Sequence, residues 1–128
     1  MLAARILIAD DNPNDRFLIS KALQAISSET NVEFVRDGRE VVEYLENCQK
    51  LPSVLLLDLR MTRMNAFDVL LWLRERPRFA KIPVAIISGS KTEEEATRAK
   101  ELGAQCFVTK PYSFSELRDM LKSLTLES

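Results

Sequence analysis

Five short apolar runs constrain the fold of this chain more than any other feature: RILIA at 5–9, VEFV at 32–35, VLLLD at 54–58, VAIIS at 84–88 and CFVT at 106–109. They are continuous rather than alternating. An alternating strand shows one face to water, whereas a continuous run needs cover on both faces, and helices packed on either side of a sheet supply it. The segments between the runs are long and carry helical spacing, so each connection is a crossover and the strands it joins are parallel. The expected fold class is therefore α/β, a doubly wound five-stranded parallel sheet in the order 2-1-3-4-5 with five helices.

The helical segments can be phased from their apolar residues. From Asp15 to about Ile26, Leu18, Ala22, Ala25 and Ile26 fall on one stripe. Val41, Val42 and Leu45 do so after Gly38, and Phe67, Leu70, Leu71 and Arg74 after Asp58. Thr92 with Glu95, and Ser113 with Glu116, have the spacing of capping boxes that start the last two helices. Gly103 is placed to end the fourth, because a left-handed C-cap favours glycine. With 128 residues, 46% of them hydrophobic, one domain over 1–128 is expected, and no linker or repeat divides it.

Several function classes drop out early. The formal charge is −1 and no Lys/Arg block occurs, so nothing favours nucleic acid. No apolar run approaches the ~20 residues that span a bilayer. The start, MLAARILIAD, lacks the small-residue cleavage site of a signal peptide, and a cytoplasmic protein is expected. Cys48 and Cys106 are far apart and are expected to be reduced. The chain has no histidine, which excludes a Cys/His zinc site and Cys/His or Ser/His nucleophilic catalysis.

The chemistry gathers at the strand ends. Asp10 and Asp11 follow strand 1, Asp58 closes strand 3, Ser88 closes strand 4 and Lys110 follows strand 5. In the expected order strands 1 and 3 are neighbours, and ligands of such sheets bind beyond the carboxyl ends at that switch point. Adjacent carboxylates repel and are tolerable where water or a hard cation screens them; Mg²⁺ takes one or two carboxylates, keeps waters and bridges to phosphate. A carboxylate can also attack phosphorus to give an aspartyl phosphate. Mg²⁺ and Lys110 would then neutralise phosphoryl oxygens while Ser88 donates a hydrogen bond.

The motifs ADD, LLLDLRM, IISGS and TKP occur in that order at successive strand ends. With them the chain, from Ile6 to about Leu124, resembles the CheY-like receiver domains of two-component response regulators. The resemblance implies Asp58 as phosphoacceptor, with Asp10, Asp11, Asp58 and the main-chain carbonyl of Arg60 around Mg²⁺. It implies Lys110 as the phosphate-pairing lysine, Ser88 and Phe107 as the switch pair, and a Lys110–Pro111 bond of the kind that family members hold cis. It also implies a histidine kinase or phosphotransfer protein as phosphodonor, a downstream protein target, and no separate substrate, so no enzyme in the usual sense. The face of helix 4, strand 5 and helix 5 is where the family docks or dimerises, and here it carries Lys91, Arg98, Lys100, Glu101, Arg118 and Lys122. The chain stops about four residues past the last expected helix, so output is expected through protein contact.

The departures from the family pattern lie beside the acid pocket. Thr62 stands where proline is usual, Ala66 and Gly89 where glycine and alanine are usual, and Phe107 lacks the hydroxyl of the commoner tyrosine. If Ala66 had to take a positive φ, the cost would be about 1 kcal/mol, so the loop is expected to adjust its path instead. Arg60 is expected to cover the phosphoryl group rather than pair with Glu93 or Glu94, since Ser90 offers no acid to draw it away. Other readings remain beside this one. A haloacid-dehalogenase-type phosphatase would need a DxD motif after strand 1, and in a flavodoxin-like carrier DDNPND would repel the flavin phosphate. A receiver excised from a longer regulator or hybrid kinase, or a receiver-like module that signals without phosphate, completes the alternatives.

Overall fold

Each apolar run forms a strand in the computed structural model, which describes residues 5–26, 31–89 and 92–109 and, further on, Ser115, Arg118, Asp119 and Lys122. The order is β1 (Arg5–Ala9), α1 (Pro13–Ile26), β2 (Asn31–Val35), α2 (Gly38–Asn47), β3 (Val54–Asp58), α3 (Ala66–Arg74), β4 (Val84–Ser88), α4 (Glu93–Glu101) and β5 (Cys106–Thr109). The sheet runs β2-β1-β3-β4-β5, and every pairing is parallel. The fifth helix was expected after Ser113, and most of that segment, with the Ser113/Glu116 capping box, lies outside the described residues. The four described positions there are helical.

Alternate residues of each strand enter two separate cores. Leu7, Ala9, Leu55, Leu57, Val84 and Ile86 face α2 and α3, where they meet Val41, Leu45, Val69, Leu70 and Leu73. Ile6, Ile8, Leu56, Ala85 and Ile87 face α1 and meet Ile19, Ala22 and Leu23. The apolar runs are continuous because both faces are covered. Each fully buried Leu or Ile contributes about 1.5–3 kcal/mol relative to exposure, so these two layers dominate the stability of the fold.

Helix starts follow side-chain caps. Asn12 accepts from the Asn14 and Asp15 amides at 2.9 and 3.3 Å, and Pro13 takes the first helical position, so α1 begins two residues before Asp15. Asp37 caps α2 by accepting from the Glu40 amide at 3.0 Å. Asn65 with Asp68, and Thr92 with Glu95, form complete capping boxes for α3 and α4. Gly103, at φ 96°, follows the end of α4 as expected.

Two helical phases differ from the sequence reading. In α1 the buried stripe is Ile19, Ala22 and Leu23, with Leu18 half-buried and Ala25 exposed. In α3 it is Ala66, Val69, Leu70 and Leu73, while Leu71 is 42% exposed. Both helices are apolar on more than one side, so a shift of one residue changes the stripe without any polar residue to object. The Asn65 cap sets the phase of α3. The α2 stripe, Val41, Val42 and Leu45, is buried as expected, because Glu40, Glu43 and Glu46 mark its wet face.

Candidate functional site

Register brings the strand ends together. Ala9 pairs with Leu57 and with Val35, Asp58 with Ile87, and Ser88 with Thr109, so the residues that follow or close these strands share one edge of the sheet. Asp10, next to Asp58 on that edge, is fully buried. Its amide donates to the Val35 carbonyl at 3.0 Å and its carboxylate accepts from the Asn12 amide at 3.0 Å. Arg16 fixes the same corner from α1: Nε donates to the Asp10 carbonyl at 2.6 Å and Nη2 to the Val35 carbonyl at 3.4 Å, with the guanidinium 5.4 Å from the Phe34 ring centre. Asp11 is exposed, and Asp58 is half-buried.

Ser88 is 1% exposed and Phe107 half-buried, the latter packed on the α2/α3 side of the sheet opposite Ile86. Lys110 and Pro111, with Ser90 and Lys91, lie outside the described residues. Of the sequence-derived site, Asp10, Asp11, Asp58 and Ser88 are thus brought to one edge. Of the charges on the expected docking face, Arg98, Lys100, Glu101 and Lys122 are exposed, and Arg118 lies 3.6 Å from Asp119.

The donor chemistry of this edge fits a hard cation, since its side chains offer carboxylate oxygen and neither thiolate nor imidazole. Among the described residues no three of His, Cys, Asp and Glu are gathered as a ready-made cage.

The loop from Leu59 to Asn65 frames the site and is tied at its base by Leu59 accepting from the Ala66 amide at 3.2 Å. Ala66 opens α3 in ordinary helical conformation. The positive φ falls instead on Arg63, at 66°. Ala66 thus needs no positive φ, and the strained backbone is at a residue whose side chain is anchored. Arg63 Nε and Nη2 donate to the two oxygens of Asp37 at 2.9 and 3.2 Å. This bond holds the Asp37 carboxyl below its ordinary range, with burial opposing and the Glu40 and Arg39 amides assisting, and Asp37 raises Arg63 in return. Next to it the Gly38 amide donates to the Met64 carbonyl at 3.2 Å. A Cβ on Gly38 would stand 2.5 Å from that oxygen, so the close approach requires glycine.

Arg60 lies on the other flank. Its amide donates to Asp58 Oδ1 at 3.3 Å, Nη1 donates to Ser88 Oγ at 3.3 Å, and Nη2 donates to Glu95 Oε2 at 2.8 Å. The expectation that no acid draws this arginine aside is corrected: Glu95 does, while Glu93 and Glu94 are exposed on the first turn of α4. As the third helical residue, Glu95 points back toward the helix start and so toward the site. Sequence reasoning had assigned Glu95 only its cap, and had passed over Arg16, Asp37 and Arg63. Asp37 carried a signal, since Asp-x-x-Glu before an apolar stripe marks a helix start. The arginine partners carried none.

A family model for the response regulator receiver domain matches residues 6–122. The chain is 28% identical over 123 residues to the probable methanogenesis regulatory protein FilR2 of Methanothrix harundinacea, covering 93% of this chain and 79% of that one. It is 31% identical over 123 residues to the sensor histidine kinase CheAY of Helicobacter pylori, covering 95% of this chain and 15% of that protein. Among solved structures it is similar to the phosphorylated cyanobacterial phytochrome response regulator RcpA, at 29% identity and a TM-score of 0.85, covering 96% of this chain and 91% of that one.

Proposed function

The chain belongs to the response regulator receiver domain family, and from that premise we propose that it receives a phosphoryl group on Asp58 and passes the signal to a protein partner through Ser88 and Phe107. One observation supports the reading: a single residue, Arg60, donates its amide to Asp58 and its guanidinium to Ser88, so one residue joins the proposed acceptor to the proposed switch hydroxyl. In the transfer, an Asp58 carboxylate oxygen attacks phosphorus as the bond from phosphorus to the donor's leaving group breaks. The donor leaves with the electron pair, and the aspartyl phosphate remains. Mg²⁺, held by Asp10, Asp11, Asp58 and the Arg60 carbonyl, would neutralise phosphoryl oxygens. Lys110 is proposed to pair with the same oxygens, and Ser88 to donate its hydroxyl proton to one of them. The phosphodonor is a histidine kinase or phosphotransfer protein, and the output a protein contact on the face of α4, β5 and the segment after it, with a homodimer as one form. We place the module in the cytoplasm, as a single receiver domain over 1–128.

That RcpA is described in a phosphorylated form supports the reading. Intact-mass measurement after acetyl phosphate with Mg²⁺ tests it: one phosphoryl group is expected on the parent chain and none on Asp58→Asn. Full labelling of Asp58→Asn would overturn the assignment. Ser88→Ala is expected to be labelled but to lose any phosphorylation-linked change in partner or self-association. Mg²⁺ should raise the melting temperature, since a cation that binds only the folded state adds RT ln(1 + [L]/Kd), and Asp11→Ala should abolish that rise.

A further inference from the structure

Both amino groups of Arg60 are engaged, and by different elements. Nη1 donates to Ser88 Oγ on β4, whereas Nη2 donates to Glu95 Oε2 on α4 at 2.8 Å. The other Glu95 oxygen accepts from the Thr92 amide at 3.4 Å, closing the capping box that starts α4. One carboxylate therefore serves the helix start and the guanidinium at once. The Glu95 side chain is 22% exposed and that of Arg60 61%, so the acid is the fixed member of the pair and the arginine the movable one. A groove of about 320 Å³ bounded by Leu59, Arg60, Met61, Asn65, Phe67 and Glu95 gives the guanidinium room to shift.

We infer that Glu95 is a positioning residue for the phosphoryl chemistry at Asp58: it holds the Arg60 guanidinium at Ser88 and competes with the phosphoryl oxygens for it, and so sets how long the aspartyl phosphate lasts. This rests on the reading of Asp58 as phosphoacceptor. A guanidinium fork matches carboxylate and phosphoryl oxygens alike, so a phosphoryl group at Asp58 and the Glu95 carboxylate present two anionic partners to one cation. By donating to Ser88 Oγ, the guanidinium occupies one of its lone pairs and leaves the hydroxyl proton to point elsewhere, the polarity needed for donation to a phosphoryl oxygen. Loss of the phosphoryl group requires a water oxygen to attack phosphorus while the bond to Asp58 breaks. The carboxylate leaves with the electron pair, and the proton of the water passes to the released phosphate or to solvent. A guanidinium lying on the phosphoryl oxygens obstructs that approach, and Glu95 draws it back.

The full chain is labelled with acetyl phosphate and Mg²⁺, the donor is removed, and loss of phosphate is followed by intact mass. Glu95→Gln keeps an oxygen for the Thr92 amide but loses the charge that holds Arg60; its decay is expected to be about threefold slower than that of the parent, a factor equal to ~0.7 kcal/mol. Arg60→Asn is expected to decay several-fold faster, and adding Glu95→Gln to it should change nothing further. A role for Glu95 confined to capping α4 would act equally in both backgrounds, so equal slowing in the Arg60→Asn background overturns the inference. Unchanged or faster decay in Glu95→Gln overturns it as well, while leaving the phosphoacceptor reading in place. If the parent chain takes no label, both fall together.

Discussion

The loop that follows Asp58 is fastened on both flanks by an arginine and a carboxylate, yet the two fastenings are different devices. On the α2 flank, Arg63 meets Asp37 with two bonds, and the Asp37 side chain is 8% exposed. On the α4 flank, Arg60 meets Glu95 with one bond, and the acid is 22% exposed. Asp37 also caps α2 and is shifted toward its charged form by Arg63, whereas Glu95 shares its partner with Ser88. Removing the charged partner of a desolvated carboxylate leaves its charge held by amide donors alone and is costly, while a solvated pair contributes ~0–1 kcal/mol. An arginine and a carboxylate thus make a fixed clamp on one side of Asp58 and a looser latch on the other. The strain follows the same division, since the positive φ is at Arg63, where the side chain is anchored, and not at Arg60.

The clamp should give the largest effects. Gly38→Ala forces a Cβ to within 2.5 Å of the Met64 carbonyl and 2.8 Å of Val69 Cγ2, and one of these is backbone. A loss of about 2–3 kcal/mol in urea unfolding is expected, and a loss below about 0.5 kcal/mol would show that the two loops do not press on each other. Asp37→Ala removes both the cap and the Arg63 partner and should cost about 1–2 kcal/mol. Its pH dependence follows from the sign of the shift: a carboxyl lowered from 3.8 contributes stability that is complete above that value and is lost as pH falls through the folded one. The acid limb of the parent's stability curve should therefore be shallower in Asp37→Asn. A third comparison isolates the strain. Arg63→Gly and Arg63→Ala both lose the ion pair, but glycine relieves the positive φ, so the glycine variant should be the more stable by about 1 kcal/mol. Equality of the two would mean that the loop relaxes once the arginine is gone.

Much of the fold was legible because strands buried on both faces leave continuous apolar runs that hardly depend on context, and the five strands end close to where those runs end. The gathering of Asp10, Asp11, Asp58 and Ser88 on one sheet edge was legible for a related reason: each sits at the end of a run, so topology alone brings them there. The phases of α1 and α3 were not, since Leu18, Leu70, Leu71 and Leu73 look alike in sequence and only the Asn65 cap or the packed sheet distinguishes them. Arg63 and Asp37 were illegible as a pair, being 26 residues apart, with no local rule relating a β2–α2 turn to the loop after β3. Arg60 shows the intermediate case. Its position two residues past Asp58 pointed to the site, but the choice among three consecutive glutamates depends on which way a first-turn side chain leans, and only the capping geometry of α4 decides for Glu95.

The smallest expected effect is the one that separates latch from clamp. Arg60→Ala removes the contacts to Ser88 and Glu95, and with an arginine side chain 61% exposed the pair stands in solvent that already screens it. The Glu95 carboxylate keeps its bond from the Thr92 amide, and Ser88 keeps the packing that buries it, whereas Asp37 without Arg63 would hold its charge with amide donors alone at a side chain only 8% exposed. Urea unfolding of Arg60→Ala should therefore fall within about 0.5 kcal/mol of the parent, well short of the Asp37→Ala loss. Added salt should narrow that difference further, because exposed charges more than ~10 Å from other partners are screened at 0.1 M and close solvated pairs are weakened. A latch that moves when its ligand arrives must have a small equilibrium cost of opening, since a phosphoryl group can shift the arginine only by its own advantage over Glu95. A loss of ~2 kcal/mol in Arg60→Ala would put this flank in the same class as the clamp, and Arg60 would then be a fixed strut of the loop rather than a residue that two anions contest.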